Sequence, residues 1–181
     1  MLLAWLCVAV ASAGLFRNVS APAVAATVWI LTGIALLACW KITAIKAWAL
    51  AVNVQWLVLF HLTRLIAGVS FLIFCGRGEL PCAFAKSAGW GDIVVAVLAL
   101  AVLAAIRAPF AKAIVLVWNA VGLLDIIFVV SSALRFGLRN WQSMHVLREL
   151  PLSLLPMFLV PLIIASHVLI FLRVGRASDV R

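Results

Sequence analysis

The side chains of this sequence with chemistry to offer sit inside long apolar runs. His61 and Arg64 lie in the run 47–75, together with Asn53 and Gln55. Asn119 and Asp125 lie in the run 113–134, His167 lies in 151–172, and Asp92 stands just before 93–106. A polar or charged group in such a run is costly unless it turns inward and finds a partner. Helical spacing puts His61, Arg64 and Gly68 a turn apart on one stripe, with Asn53 eleven residues before Arg64 on the same stripe. Gly68 would let a neighbouring helix approach closely. Arg64 is eleven residues short of Cys75, too deep to reach an interface with ease, so a carboxylate partner is expected. Asp125 and Asp92 are available. Trp118, Asp125 and Ser132 recur at intervals of seven and share a helix face, while Pro156 and His167 share another.

Each of these residues has a plainer reading beside the chemical one. An Arg64–carboxylate pair can serve as a structural tie that fixes helix register or as a site for a proton or ion, and the two readings stand about even. Asp92 is most simply the N-cap of a fourth helix. His61 and His167 are potential axial ligands to a haem, but a lone His per helix is more often a hydrogen-bonding core residue, and there is no haem-attachment motif. No cofactor and no metal is therefore expected. His145, beside Arg148 and Glu149, reads as a solvated loop residue. No G-x-S-x-G, H-E-x-x-H or phosphate loop occurs, so the catalytic residues of any enzyme are not legible.

Six apolar segments would position these groups: 2–16, 21–40, 47–75, 93–106, 113–134 and 151–172. A span needs about 20 apolar residues. The first and fourth are short, and the third is long enough to tilt. Segment 2–16 ends on Ala11-Ser12-Ala13, like a signal-peptidase site, but lacks a basic leader and is expected to be a retained helix. The link 76–92 mixes glycines with apolar residues, and a re-entrant hairpin carrying Glu79, Pro81, Gly89, Trp90 and Gly91 is expected there. Pro156 and Pro161 should kink the last helix and free backbone carbonyls. Trp40, Trp48 and Trp141 near segment ends read as interfacial belt residues.

Composition sets the class. Of 181 residues, 68% are hydrophobic and 10% are charged, against about a quarter charged in soluble domains. A single all-α polytopic membrane domain over 1–181 follows, a bundle of about six transmembrane helices. The net charge of +9 is spread singly between apolar runs, which suits contact with lipid head groups and gives no support to nucleic acid as a partner. Six spans put both termini on one side, and the basic residues favour the cytoplasm for it by seven to six. Cys7 and Cys39 read as core residues. Cys75 and Cys82 flank one loop and would pair on an oxidising side, with free thiols the favoured expectation.

The run from His61 through Arg64 to Gly68 resembles a family of small bacterial multi-pass membrane proteins. So do Gly78 to Ala85 with Glu79 and Pro81, Ala88 to Ile93 with Trp90 and Asp92, Trp118 to Asp125 with Asn119, and Leu155 to His167 with both prolines. The resemblance covers about Leu15 to Leu172. It implies a polytopic bundle in the bacterial inner membrane and no particular activity. The function expected from the residues is a polar intramembrane site for a small solute, ion or proton, formed by Arg64, Asp125, His61, Asn119, His167 and Asp92 and gated by the hairpin. The rivals are a membrane-embedded redox or lipid-modifying enzyme, and a subunit whose charges only hold helices together. A homo-oligomer or an unidentified membrane protein is the expected partner.

Overall fold

The computed structural model describes residues 6–10 and 14–176, which are helical apart from short turns, with no strand among them. After a 3-10 turn at Leu15–Asn18 come α1 (Ala21–Lys41), α2 (Thr43–Ala51), α3 (Val54–Phe60), α4 (Thr63–Gly76), α5 (Cys82–Ala104) and α6 (Ala111–Arg139). A 3-10 segment, Gln142–Arg148, and a wider π turn, Leu155–Leu159, lead into α7 (Val160–Arg176). Among the described residues five helical stretches are long and apolar enough to cross a membrane: Ala21–Lys41, Val54–Gly76, Cys82–Ala104, Ala111–Arg139 and Leu155–Gly175. Of segment 2–16, residues 6–10 are helical, and residues 2–5 and 11–13 of the expected first span lie outside the described residues.

Large apolar side chains cover the outside. Ile30, Ile66, Val97, Val117 and Leu124 all point outward, an arrangement water would not tolerate over so much surface. Inside, two apolar cores are stacked along the helix axes. Phe71, Phe84, Ile126, Met144 and Ile163 belong to one, and Val58, Val95, Val115, Ile170 and Val174 belong to the other. The buried polar residues His61, Arg64, Asp92, Asn119, Ser166 and His167 occupy the level between them.

The tightest helix pair is α4 against α5. A Cβ added at Gly68 would lie 2.5 Å from the Gly89 carbonyl oxygen, and one at Gly89 would lie 2.9 Å from that of Gly68. The backbones therefore touch, which only glycine permits at both positions. A turn with Gly78 at φ +72° joins the two helices, and a Cys75–Cys82 disulfide closes it. The favoured expectation of free thiols is overturned, because this tight antiparallel turn holds the two Cα atoms 4.9 Å apart. At the same end, Asn140 Oδ1 accepts from the amides of Gln142 and Ser143 and stops α6. The chain then folds across the bundle end. Trp141 Nε1 donates to the Val19 carbonyl at 2.7 Å, Arg148 Nη1 donates to that of Arg17 at 2.7 Å, and Arg17 pairs with Glu149.

Several sequence expectations change here. The re-entrant hairpin at 76–92 does not exist. Its Ala- and Ser-rich second half is the start of α5, and Ala85 and Ala88 are buried in helical register. Asp92 consequently sits inside α5 and caps nothing; Pro81 holds the N-cap position. The expected third helix is broken at Val52–Asn53, where Asn53 Oδ1 accepts from the Gln55 amide and opens α3. Asn53 is thus a cap and not part of the Arg64 stripe. Trp141 is half-buried and hydrogen-bonded, unlike the exposed Trp40 and Trp48. His145, expected to be a solvated loop residue, is half-buried and lies in the 3-10 segment. Cys7 is buried and Cys39 is half-buried, both free.

Candidate functional site

Arg64 reaches the interior because its helix tightens just before it. At His61 and Leu62 the backbone switches to three-residue hydrogen bonds, with the His61 amide on the Val58 carbonyl and the Arg64 amide on the His61 carbonyl, each at 3.1 Å. This break separates α3 from α4 and turns both His61 and Arg64 inward; neither has exposed surface.

The guanidinium fork meets three acceptors. Nε donates to Asp92 Oδ1 at 2.7 Å, Nη1 donates to the Gly122 carbonyl at 3.0 Å, and Nη2 donates to Asp125 Oδ2. One side chain of α4 thereby ties α5 to α6. The geometry suits arginine alone, since lysine offers no planar fork. The two carboxylates differ in setting. The Asp92 side chain is 3% exposed, whereas that of Asp125 is 18% exposed. Gly91 explains the opening: a Cβ there would collide with Asp125 Oδ1. The missing side chain leaves room for Asp125 beside α5 and leaves its Oδ1 without a partner side chain. Asp125 is the midpoint of α6, 14 residues from either end of Ala111–Arg139, or about 21 Å.

A second polar group adjoins the first. Asn119 Nδ2 donates to the His167 carbonyl at 3.0 Å, which orients its amide so that Oδ1 accepts from His167 Nδ1 at 2.8 Å. Ser166 Oγ donates to the Ile163 carbonyl at 2.8 Å and accepts from His61 Nε2 at 3.1 Å. These partners fix both tautomers and leave His61 Nδ1 and His167 Nε2 as bare acceptors with no partner. The two rings lie 4.2 Å apart, centroid to centroid, and Trp118 sits edge-on to His61 at 5.1 Å. Imidazoles in such contact leave no room for a porphyrin between them, so the haem arrangement considered from the sequence does not fit this pair. Gly122 is needed here as well, since a Cβ would lie 2.7 Å from His167 Cε1.

The structure thus brings Arg64, Asp92, Asp125, His61, Asn119 and His167 into one layer. The residues once assigned to the hairpin scatter. Gly89 and Gly91 serve helix contact and the Asp125 opening, Trp90 is 58% exposed on the outer face, and Glu79 and Pro81 belong to the disulfide-bonded turn. Ser166 and the Gly122 carbonyl were not foreseen. Ser166 borders His167 in sequence, but its pairing with His61 spans 105 residues. Among the described residues no group of three or more His, Cys, Asp or Glu side chains forms a metal cage.

No curated protein and no solved structure matches the chain. One family does match, over residues 20–174, a stretch that takes in all five long helices except the last residue of the fifth, and every residue of the polar layer. The chain belongs to the family described as domain of unknown function DUF8737.

Proposed function

We propose that this chain is a multi-pass protein of the bacterial inner membrane, with segment 2–16 as a sixth span, whose polar layer handles a proton or a small monovalent cation. The observation that carries this reading is the charge count at Arg64. One guanidinium faces two carboxylates, Asp92 and Asp125. An unbalanced charge buried among apolar helices costs several kcal/mol. The excess negative charge therefore calls for a proton or a cation. Asp125 is the group placed to take it, being partly open and holding Arg64 through Oδ2 alone. His61 and His167 offer two further bare acceptors in the adjoining buried polar group.

The test is flux into proteoliposomes carrying a pH-sensitive dye, with a potassium gradient supplying the driving voltage. Wild-type protein should acidify or alkalinise the lumen faster than empty vesicles, and Asp125→Asn should abolish the difference while leaving folded yield intact. Repeating the assay with a sodium-sensitive dye separates the proton from a metal cation. Equal rates for wild type, Asp125→Asn and empty vesicles with both dyes would remove transport as the function.

One observation favours a second reading, a subunit whose charges only join helices. Arg64 has no exposed surface and Asp92 almost none, so that half of the triad is sealed like a structural pair. If the charges only join helices, exchanging Arg64 and Asp92 should restore a damaged single variant. A working site should not survive the exchange.

A further inference from the structure

At the end of the bundle opposite the disulfide, α3 and the α5–α6 turn border an open hollow of about 470 Å³. Its walls are Gln55, Trp56, Leu59, Leu103, Ile106 and Arg107. The lining is graded. Arg107 and Gln55 stand at one level, Leu59 and Leu103 lie one helical turn further into the apolar zone, and Trp56 is 65% exposed beside them. Among the described residues Arg107 has no hydrogen-bond or ion-pair partner, in contrast to Arg64 and Arg148, whose guanidinium groups are engaged. Lys41, Lys46, Lys112 and Arg173 fall at the same end of the helices and make that end positive.

We infer that this hollow holds the phosphodiester head group of an anionic phospholipid. A cation with free donors takes the phosphate as a charge-assisted, potentially bidentate partner. Gln55 supplies donor and acceptor to a glycerol or similar polar head. Leu59 and Leu103 accept the start of the acyl chains, and Trp56 takes the interfacial position that tryptophan favours. Basic pockets between helices at a membrane surface suit such head groups. The inference rests on the membrane reading above but is independent of the polar layer, which lies between the two apolar cores.

The test is native mass spectrometry of the protein extracted from vesicles of phosphatidylcholine mixed with phosphatidylglycerol. Wild type should retain one phosphatidylglycerol in preference to phosphatidylcholine. Arg107→Gln should lower that retention about tenfold, the loss of one charge-assisted contact, while Lys46→Gln, at the same end but outside the hollow, should not. Added glycerol phosphate should fail to displace the lipid, because it lacks the chains that Leu59 and Leu103 receive. Equal retention in wild type and Arg107→Gln overturns the assignment, as does equal retention of the two lipids or full displacement by glycerol phosphate. Flux through Asp125 is read separately, so either proposal can fail while the other stands.

Discussion

Arg64 is the residue on which the polar layer depends. It satisfies acceptors on two other helices at once, and its removal would leave two carboxylates buried without a cation. Arg64→Ala is expected to cost about 3–5 kcal/mol, as for other broken buried pairs. Arg64→Lys keeps the charge but cannot serve Asp92, Gly122 and Asp125 together, so it should recover only part of that loss. Thermal unfolding of the three proteins in detergent checks the order, wild type above Arg64→Lys above Arg64→Ala. A lysine variant as stable as wild type would show that charge alone, without the fork, holds the layer. Much of this was legible at the level of single residues. Arg64 is too far from the end of its run to escape, so a carboxylate partner had to be found. Its choice between Asp92 and Asp125 was not legible, and the answer is both. Sequence spacing reports one helix face at a time, whereas the guanidinium spans the gap between two neighbouring helices.

At the level of elements, the long uniform stretches were plain from hydropathy, and the breaks were not. The expected third helix is interrupted at Asn53 and again at His61, and the expected hairpin is half of α5. The glycines of 76–92 suggest turns in the sequence, but most of them are not in turns. Only Gly78 has a positive φ there; Gly89 and Gly91 are helical and are glycines for reasons that lie on other helices. Gly68 against Gly89 and Gly91 against Asp125 are contacts that no local pattern reveals. The same contacts make a sharp prediction. Gly68→Ala forces a methyl toward the Gly89 carbonyl and should destabilise by about 1–3 kcal/mol. Gly33→Ala, where a Cβ meets nothing within 4 Å, should be neutral or slightly stabilising, since alanine favours helix. Melting temperatures of the two variants decide it, and a Gly68→Ala protein as stable as Gly33→Ala would mean that α4 and α5 can separate without loss. Pro161 acts at this level too. It has no N–H to give the preceding turn, the chain widens into a π turn just before it, and the Met157 carbonyl accepts the Cys7 thiol at 3.5 Å.

For the whole molecule, the two ends differ in chemistry more than in charge. Arg17, Arg77, Lys86, Arg135, Arg139 and Arg148 fall toward the capped end, and Lys41, Lys46, Arg107, Lys112, Arg173 and Arg176 toward the other. Among the described residues, with Arg181 lying outside them, the balance is six against six, which gives the positive-inside rule nothing to act on. The disulfide does discriminate. A Cys75–Cys82 bond persists only on an oxidising side, since cytosolic thiols are kept reduced. On the bacterial inner-membrane reading proposed above, the capped end, with its 3-10 segment and the Arg17–Glu149 pair, is predicted to face the periplasm, and the end bearing Arg107 the cytoplasm. That placement agrees with the anionic lipid assigned to the Arg107 hollow, because juxtamembrane basic sites on the cytoplasmic side meet anionic head groups. Alkaline phosphatase, which needs its own disulfides, reports the difference directly. Fused after Asn140 it should be active, and fused after Ala108 it should be inactive. In whole cells Cys75 and Cys82 should resist alkylation until a reductant is added. The reverse fusion pattern would put the turn in a reducing compartment, where the bond could not last, and orientation and disulfide would have to be given up together.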